Sequence, residues 1–190
     1  DEDAADVHLP LLLWWAVESK ADADRELVLE MLEDKSLWQR PIVQKHLLSR
    51  LMRRYALAGA RKDLLTCAKL LSLSPDKAST TQLMQGFEEA FKGRSLSGLP
   101  AELSEALAKA GGGSITLNVR QGNADAIQQA LKMITDGKTP TAKRVELIQV
   151  FGEVDLPQSL STLLSVVEQS KDESLQMAAL TALQRYSNEG

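Results

Sequence analysis

The sequence predicts an all-α fold in which short helices form pairs and the pairs stack on one another. Hydrophobic residues make up 44% of the 190 residues and aromatic residues only 4%, a balance that favours helices over a β-sandwich. Apolar residues recur at spacings of three and four, the period of an amphipathic helix. A pair of such helices also recurs along the chain. A chain of this length buries about two-thirds of its unfolded surface, so we expect a sizeable helical core.

Six helices are expected in residues 1–110, because six apolar stripes lie between residues that begin or end helices. Proline suits the first turn of a helix, and glycine suits the position that ends one. The helices are expected from Pro10 to Lys20, Asp24 to Leu32, Pro41 to Gly59, Arg61 to Leu73, Ala78 to Phe91 and Pro100 to Ala110. The core-facing residues expected in the first three are Leu13, Ala16 and Val17; Leu27, Val28, Met31 and Leu32; and Val43, Leu47, Leu48, Leu51, Met52 and Tyr55. Residues 1–110 are therefore predicted to be N-terminal helical pairs.

Residues 111–121 interrupt this pattern. The run Gly111 to Gly113 ends the sixth helix, and Ile115, Leu117 and Val119 then alternate with other residues. Such alternation is a weak strand signal, although an irregular connection fits it equally. We assign residues 111–121 to an irregular connection.

An internal repeat occupies residues 122–190. One set of apolar positions recurs at an offset of 33 residues: Ile127, Ala130, Leu131 and Ile134 match Leu160, Leu163, Leu164 and Val167. A second set recurs at an offset of 32: Val145, Ile148 and Phe151 match Met177, Leu180 and Leu183. Two helices per unit of this length are typical of an α-solenoid. The sequence lacks the Trp/Gly/Tyr/Pro pattern of tetratricopeptide repeats, so we predict an α-α superhelix of HEAT-like pairs, continuous over the whole chain.

Charge and cysteine content exclude several classes. The net charge of −4 and the pI of 5.3 do not attract nucleic acid or an anionic membrane to the chain as a whole. With Cys67 as the one cysteine, the chain has no internal disulfide and no Cys-x-x-Cys-His haem motif. The longest apolar run, 9–17, is too short to insert into a membrane. The chain begins at Asp1 and not at methionine, from which we expect a piece of a larger protein.

No set of residues predicts catalysis. His8 and His46 are too few and too far apart for a metal centre, and His8 is expected where the first helix begins. Cys67 is interpreted as a small buried hydrophobic residue. The neighbouring carboxylates Glu102 and Glu105 are ordinary for an amphipathic helix. We therefore predict no catalytic, cofactor-binding or metal site in this chain.

Trp14 and Trp15 are the first candidate contact residues for a partner. Adjacent helical residues point about 100° apart, so both tryptophans cannot lie on the stripe of Leu13, Ala16 and Val17. The helix is then either covered on all sides within the chain, or docks an upstream helix or another domain, or stacks on a ligand. We select both tryptophans as candidate docking residues.

Arg50, Arg53 and Arg54 are the second candidates. Their spacing places them on one helix face, where they are solvated or paired with acids of the preceding helix, bind an acidic protein partner, or bind nucleic acid. The acids expected to pair are Glu26, Glu30, Glu33 and Asp34. Interleaved aromatic residues, which would favour nucleic acid, are lacking.

Three stretches resemble a known family. Residues 6–18 read DVHLPLLLWWAVE, residues 50–56 read RLMRRYA, and residues 89–94 read EAFKGR. Their order and spacing resemble the HEAT-like helical region of planctomycete-type and verrucomicrobial-type membrane-bound dehydrogenases that carry a haem-binding Cys-x-x-Cys-His domain. The resemblance implies an exported parent in which these helices lie between a propeller domain and a cytochrome c domain. It implies haem c elsewhere in the parent and transfers no catalytic or haem-ligating residue to this chain.

Together these observations predict a non-catalytic helical-repeat scaffold, a spacer between redox domains of a larger dehydrogenase. Its expected partners are other domains of the same parent or another protein. The alternative is a HEAT-like nucleic-acid-binding domain that uses the face of Arg50, Arg53 and Arg54.

Overall fold

A computed structural model describes residues 2–94, 96, 98–111, 113–154 and 156–188, with the backbone alone for Glu2, Ser187 and Asn188. The described residues are all-helical and include no strand. They form two compact units, one within Asp1–Lys92 and Gly98–Gly112 and the other within Gly93–Ser97 and Gly113–Gly190. The all-α prediction is confirmed.

The first unit contains every helix expected there. Its α-helices are α1 Glu2–Ala5, α2 Leu9–Lys20, α3 Arg25–Met31, α4 Lys35–Trp38, α5 Leu48–Ala58, α6 Arg61–Leu73, α7 Lys77–Ala90 and α8 Ala101–Lys109. A π-helical turn, Val43–Leu47, leads into α5. The short helices α1 and α4 were not expected, because a single turn has too few residues to show a period.

The core of the first unit is built on α5. All six residues expected to face the core in this region, from Val43 to Tyr55, are buried. Helix α7 approaches α5 so closely that a Cβ added at Gly86 would fall on the backbone carbonyl of Ser49. Trp38 is fully buried, and its Nε1 donates to the Leu32 carbonyl oxygen at 2.7 Å. The apolar stripe of α5 is therefore confirmed as the centre of this core.

Helix α3 buries a different face from the one expected. Val28 and Leu32 are buried as predicted, but Leu29 replaces Leu27 and Met31, which are exposed. The reason is Arg25 at the start of α3, whose guanidinium pairs with the buried carboxylate of Asp63 at 2.5 Å. Residues at i, i+3, i+4 and i+7 share a face, so this ion pair turns positions 28, 29 and 32 inward.

The second unit consists of five α-helices in its described part. These are α9 Ile115–Arg120, α10 Ala124–Thr135, α11 Thr141–Glu153, α12 Leu160–Gln169 and α13 Glu173–Leu183. The 3-10 turns Pro157–Ser159 and Gln184–Asn188 precede α12 and follow α13. The repeat positions thus lie on α10, α11, α12 and α13, as the sequence indicated.

Helix α9 occupies the segment to which we assigned a strand signal or an irregular connection. Ser114 caps it by accepting from the Leu117 N–H at 3.2 Å, and Gly122 follows it with φ of +76°. Helical spacing buries Thr116, Leu117 and Arg120, and Arg120 Nε donates to Glu153 at 2.9 Å. Packing and this ion pair outweigh the weak β signal, because strand propensity depends strongly on context.

Helices α11 and α13 lie side by side and run in the same direction. Near their starts, the Thr141 hydroxyl donates to the Asp172 carboxylate at 3.2 Å. Near their ends, a Cβ added at Gly152 would lie 2.9 Å from the Cα of Ala182. Contacts at both ends between positions about one repeat apart place equivalent helices of the two pairs next to each other.

Candidate docking site

Helix α2 is apolar along most of its length, yet it is largely uncovered. Pro10 is its one buried residue. Leu12 and Trp15 are 55% and 56% exposed, and the expected core residues Leu13 and Ala16 are also exposed. The interpretation of α2 as a core helix covered within this chain is therefore wrong for the described residues.

Contacts on both sides of this exposed helix hold it in place, the first between the Ala4 carbonyl oxygen just before α2 and the His46 Nε2 of the π-helical turn at 3.0 Å. The Asp6 carboxylate accepts from the N–H groups of Leu9 and His8 at 2.8 and 2.7 Å, and these bonds, that of Leu9 first, lower the pKa of Asp6. At the other end, the Tyr55 hydroxyl donates to the carbonyl of Ala21 at 2.7 Å. Helix α2 is therefore exposed although it is held on both sides. His8 precedes its first residue, as expected.

The structure brings four of the five candidate residues together. Arg50, Arg53 and Arg54 of α5 line a groove of about 290 Å³ with Trp14 of α2. Glu18 and Leu57 complete this lining, and we call these six residues the arginine groove. Trp15 lies outside the groove on the exposed surface of α2. The two tryptophans therefore contribute to different surfaces, as their 100° separation predicts.

The arginine groove carries excess positive charge. Glu18 is its one carboxylate, and it approaches Arg54 at 3.9 Å, with both side chains more than a third exposed. Such an exposed pair stabilises weakly. Arg50 and Arg53 form no ion pair within the described residues, and Nη1 of Arg50 is buried without a hydrogen-bond acceptor. The expected pairing with the acids of α3 and its following turn does not occur in the described structure.

An apolar pocket adjoins another side of α2. Leu13 and Val17 line it together with Met31, Leu32 and Leu47 and further apolar residues, and Arg40 is the one charged residue in its wall. Its volume is about 210 Å³. Helix α2 therefore lies between a cationic groove and an apolar pocket and exposes leucines and Trp15 to solvent.

No protein-family model, curated protein or solved structure matches this chain.

The nucleophilic and carboxylate residues have ordinary structural environments. Cys67 is fully buried, and burial raises its pKa to about 12, so the thiol stays protonated at neutral pH. An open groove of about 450 Å³ lies between α6, α7 and α8 and is lined by Glu102, Glu105 and Lys109 among others. Glu102 pairs with Arg61 at 3.3 Å. This open surface of mixed charge does not enclose a reacting pair.

Within the described ranges, no three His, Cys, Asp or Glu side chains come together as a metal site. None of the described helices is long and apolar enough to cross a bilayer.

The pattern of the sequence did not indicate the buried ion pair between Arg25 and Asp63 in this unit. Arg25 contacts Asp63 and the Thr66 hydroxyl, and its guanidinium carbon lies 5.2 Å from the centre of the Tyr55 ring. These residues lie far from Arg25 along the chain, so no local spacing pointed to them. The only signal was a lone aspartate in the first turn of α6, a common position for a surface acid.

Proposed function

We propose that this chain is a non-catalytic helical scaffold that holds a neighbouring protein domain against α2. The observation that carries the proposal is the exposure of an apolar helix that is anchored at both ends. Contiguous apolar surface of this kind is uncommon on monomeric proteins and marks interaction sites. A domain that covers Leu12 and Trp15 would remove this surface from water.

The arginine groove would orient the docked domain. Arginine and tryptophan are enriched among the residues that dominate binding energy at interfaces, and guanidinium groups bind carboxylates with two parallel hydrogen bonds. With three arginines and one glutamate, the groove favours an acidic segment of the partner. Charge would set the orientation, and the apolar face of α2 would supply most of the affinity.

The scaffold is proposed to be a stack of HEAT-like pairs. This is supported by the repeat of α10 and α11 in α12 and α13, and by the parallel packing of α11 against α13. Each pair in such a stack is held by its neighbours, which gives a rigid support for other domains.

The parent is proposed to be a dehydrogenase with a cytochrome c domain, exported from the cytoplasm, in which this chain is a spacer. Two of the three stretches that carry the resemblance, residues 6–18 and 50–56, include most of α2 and the three arginines of the arginine groove. Haem c would lie elsewhere in the parent.

Footprinting of the natural full-length protein tests the docking proposal. Hydroxyl-radical labelling of Trp15 and Leu12 is compared between the full-length protein and the 190-residue chain, with Leu27 of α3, which is 58% exposed and lies outside both proposed contact surfaces, as reference. We expect both α2 residues to be labelled several-fold less in the full-length protein. Equal labelling would contradict docking at α2.

The mass and visible spectrum of the same full-length protein test its placement in the family. A covalent haem absorption band on a much larger chain is expected. A haem-free protein of about this size would contradict the spacer role.

The unpaired Arg50 and Arg53 also support the alternative of nucleic-acid binding. That function predicts salt-dependent binding of a DNA oligonucleotide that is lost in Arg53→Glu and Arg54→Glu. We expect no binding even at low salt, because the net charge of −4 repels a polyanion.

A further inference from the structure

The second unit has an exposed apolar surface of its own, formed by α12 and α13. Leu164 of α12 is 49% exposed, and Met177 and Leu180 of α13 are 57% and 47% exposed. They belong to a different unit from the arginine groove. We call these three residues the α12–α13 face.

The internal repeat shows which residues of α10 and α11 are equivalent to the residues of this face. Leu180 is equivalent to Ile148 of α11, which is fully buried, and Met177 is equivalent to Val145, which is half-buried. Leu164 is equivalent to the half-buried Leu131. Each residue of the α12–α13 face is therefore more exposed than its counterpart in the preceding pair.

The packing of the two helical pairs explains this difference in exposure. Helices α12 and α13 pack against α10 and α11, with α13 parallel to α11 from Thr141 to Gly152. The first pair is thus covered by the second, and no described helix covers the second pair in the same way. The apolar residues Leu164, Met177 and Leu180 of the second pair are therefore exposed to water.

We propose that the α12–α13 face binds a further helical pair of the same repeat type, packed as α12 and α13 pack on α10 and α11. The occupant is a pair of amphipathic helices that presents an apolar stripe. A flat acidic peptide or a membrane surface would not reproduce the parallel packing that the repeat shows. This inference rests on the proposed stacking of helical pairs, but not on docking at α2.

Methionine oxidation by hydrogen peroxide in an extended chain tests the proposal. Residues 156–188 are appended as an additional copy, with leucine at its position equivalent to Met177 so that the original Met177 can be followed by mass spectrometry. We expect Met177 to be oxidised several-fold more slowly than in the original chain. Met31, 43% exposed in the first unit, should react at an unchanged rate.

Leu180→Lys within the extended chain supplies the control. It should restore rapid oxidation of Met177, because a charge at the centre of the face prevents apolar packing. In the original chain, Leu180→Ala should leave the melting temperature nearly unchanged, whereas Ile148→Ala at the equivalent buried position should lower it clearly.

Three results would overturn the proposal. One is an unchanged rate at Met177 in the extended chain, including the case in which the added pair stays unfolded by circular dichroism. Another is a large fall in melting temperature for Leu180→Ala. The third is protection of Met177 in the original chain together with a doubled mass in light scattering, which would assign the face to a second copy. None of these depends on labelling at Trp15, so this inference and the docking proposal fail separately.

Discussion

At the scale of single residues, the first unit depends on a buried charge pair. Asp63 is 5% exposed, and its carboxylate accepts from Arg25, which also contacts Thr66 and Tyr55. Burial of either charge alone is costly, because the low dielectric of the interior no longer solvates it. The orientation of α3 that buries Val28, Leu29 and Leu32 is therefore also the one in which both charges are paired.

Replacement of Asp63 by alanine should destabilise the protein strongly. We expect the free energy of unfolding to fall by about 3–5 kcal/mol, because the Arg25 guanidinium loses its buried partner. Urea denaturation followed by circular dichroism measures this change. Asp22→Ala is the matched control, since Asp22 pairs with the same arginine at 3.2 Å but is 64% exposed. A similar loss in both variants would contradict the role of burial.

A second residue-scale prediction concerns acid stability. Asp76 caps α7, and the pKa of its carboxyl lies below the ordinary value of 3.8, first because the Ser79 N–H donates to it and then because of the Gln39 side chain. A carboxyl with a lowered pKa contributes stability that is complete above its ordinary pKa and is lost as pH falls through the lowered value.

Asp76→Asn should therefore make the stability of the protein depend less on pH in the acid range. Asparagine still accepts at the cap but does not titrate, so the fall in the urea midpoint between neutral pH and about pH 3 should be smaller than in the wild type. The control is Asp125→Asn, an exposed aspartate in the first turn of α10. Equal acid dependence in wild type and Asp76→Asn would show that the cap does not contribute.

At the scale of helices, the packing of α5 against α7 depends on Gly86. A glycine inside a helix is usually unfavourable, but here its missing side chain permits backbone contact with Ser49. The neighbouring buried residues Leu83 and Phe87 can then reach the core. Glycine is required at this position because α5 and α7 lie so close together. The backbone dihedral angles of Gly86 do not require it.

Gly86→Ala should force α5 and α7 apart. We expect a loss of about 3 kcal/mol or more in the free energy of unfolding, because the clash involves backbone that cannot rotate away. Gly137→Ala is the control, since no atom lies within 4 Å of a Cβ built there, and it should change stability by less than about 1 kcal/mol. Chemical denaturation of both variants measures the difference. A tolerated Gly86→Ala would contradict this helix packing.

Helix α9 shows how tertiary contacts decide between two local interpretations. The alternation of Ile115, Leu117 and Val119 fits a strand, and the cap at Ser114 fits a helix. Only the burial of Arg120 against Glu153 and the packing on α10 and α11 decide the outcome. A six-residue segment has too few residues for its period to do so.

At the scale of the whole molecule, exposure distinguishes α2, the proposed docking helix, from the helices of the core. Trp15 and Trp38 have the same side chain and lie in the same unit, but Trp15 is 56% exposed and Trp38 is fully buried. Surface residues away from special contacts contribute little to folding. The two tryptophans therefore provide a direct comparison between a candidate contact and a core residue.

Trp15→Ala should change the free energy of unfolding by less than about 0.5 kcal/mol. Trp38→Ala should lower it by about 3–5 kcal/mol, because it leaves a cavity and an unpaired Leu32 carbonyl. Thermal and urea unfolding of the two variants make the comparison. An equal loss would mean that Trp15 belongs to the core, which would remove the basis for docking at α2.

By itself the sequence determined the helical class, the bounds of α6 and the buried stripe of α5. These follow from caps, turn residues and apolar periodicity, which act within a few residues of one another. It also indicated the repeat carried by α10 to α13, because equivalent positions can be counted along the chain.

Only the tertiary structure decided which helix faces are buried and which residues meet. The inward face of α3 depends on Asp63, and the groove of Trp14 and Arg50 depends on how α2 lies across α5. The exposure of α2, of Met177 and of Leu180 likewise could not be predicted from their apolar character. Burial depends on contacts between segments far apart in the chain. The local spacing of apolar residues does not indicate these contacts.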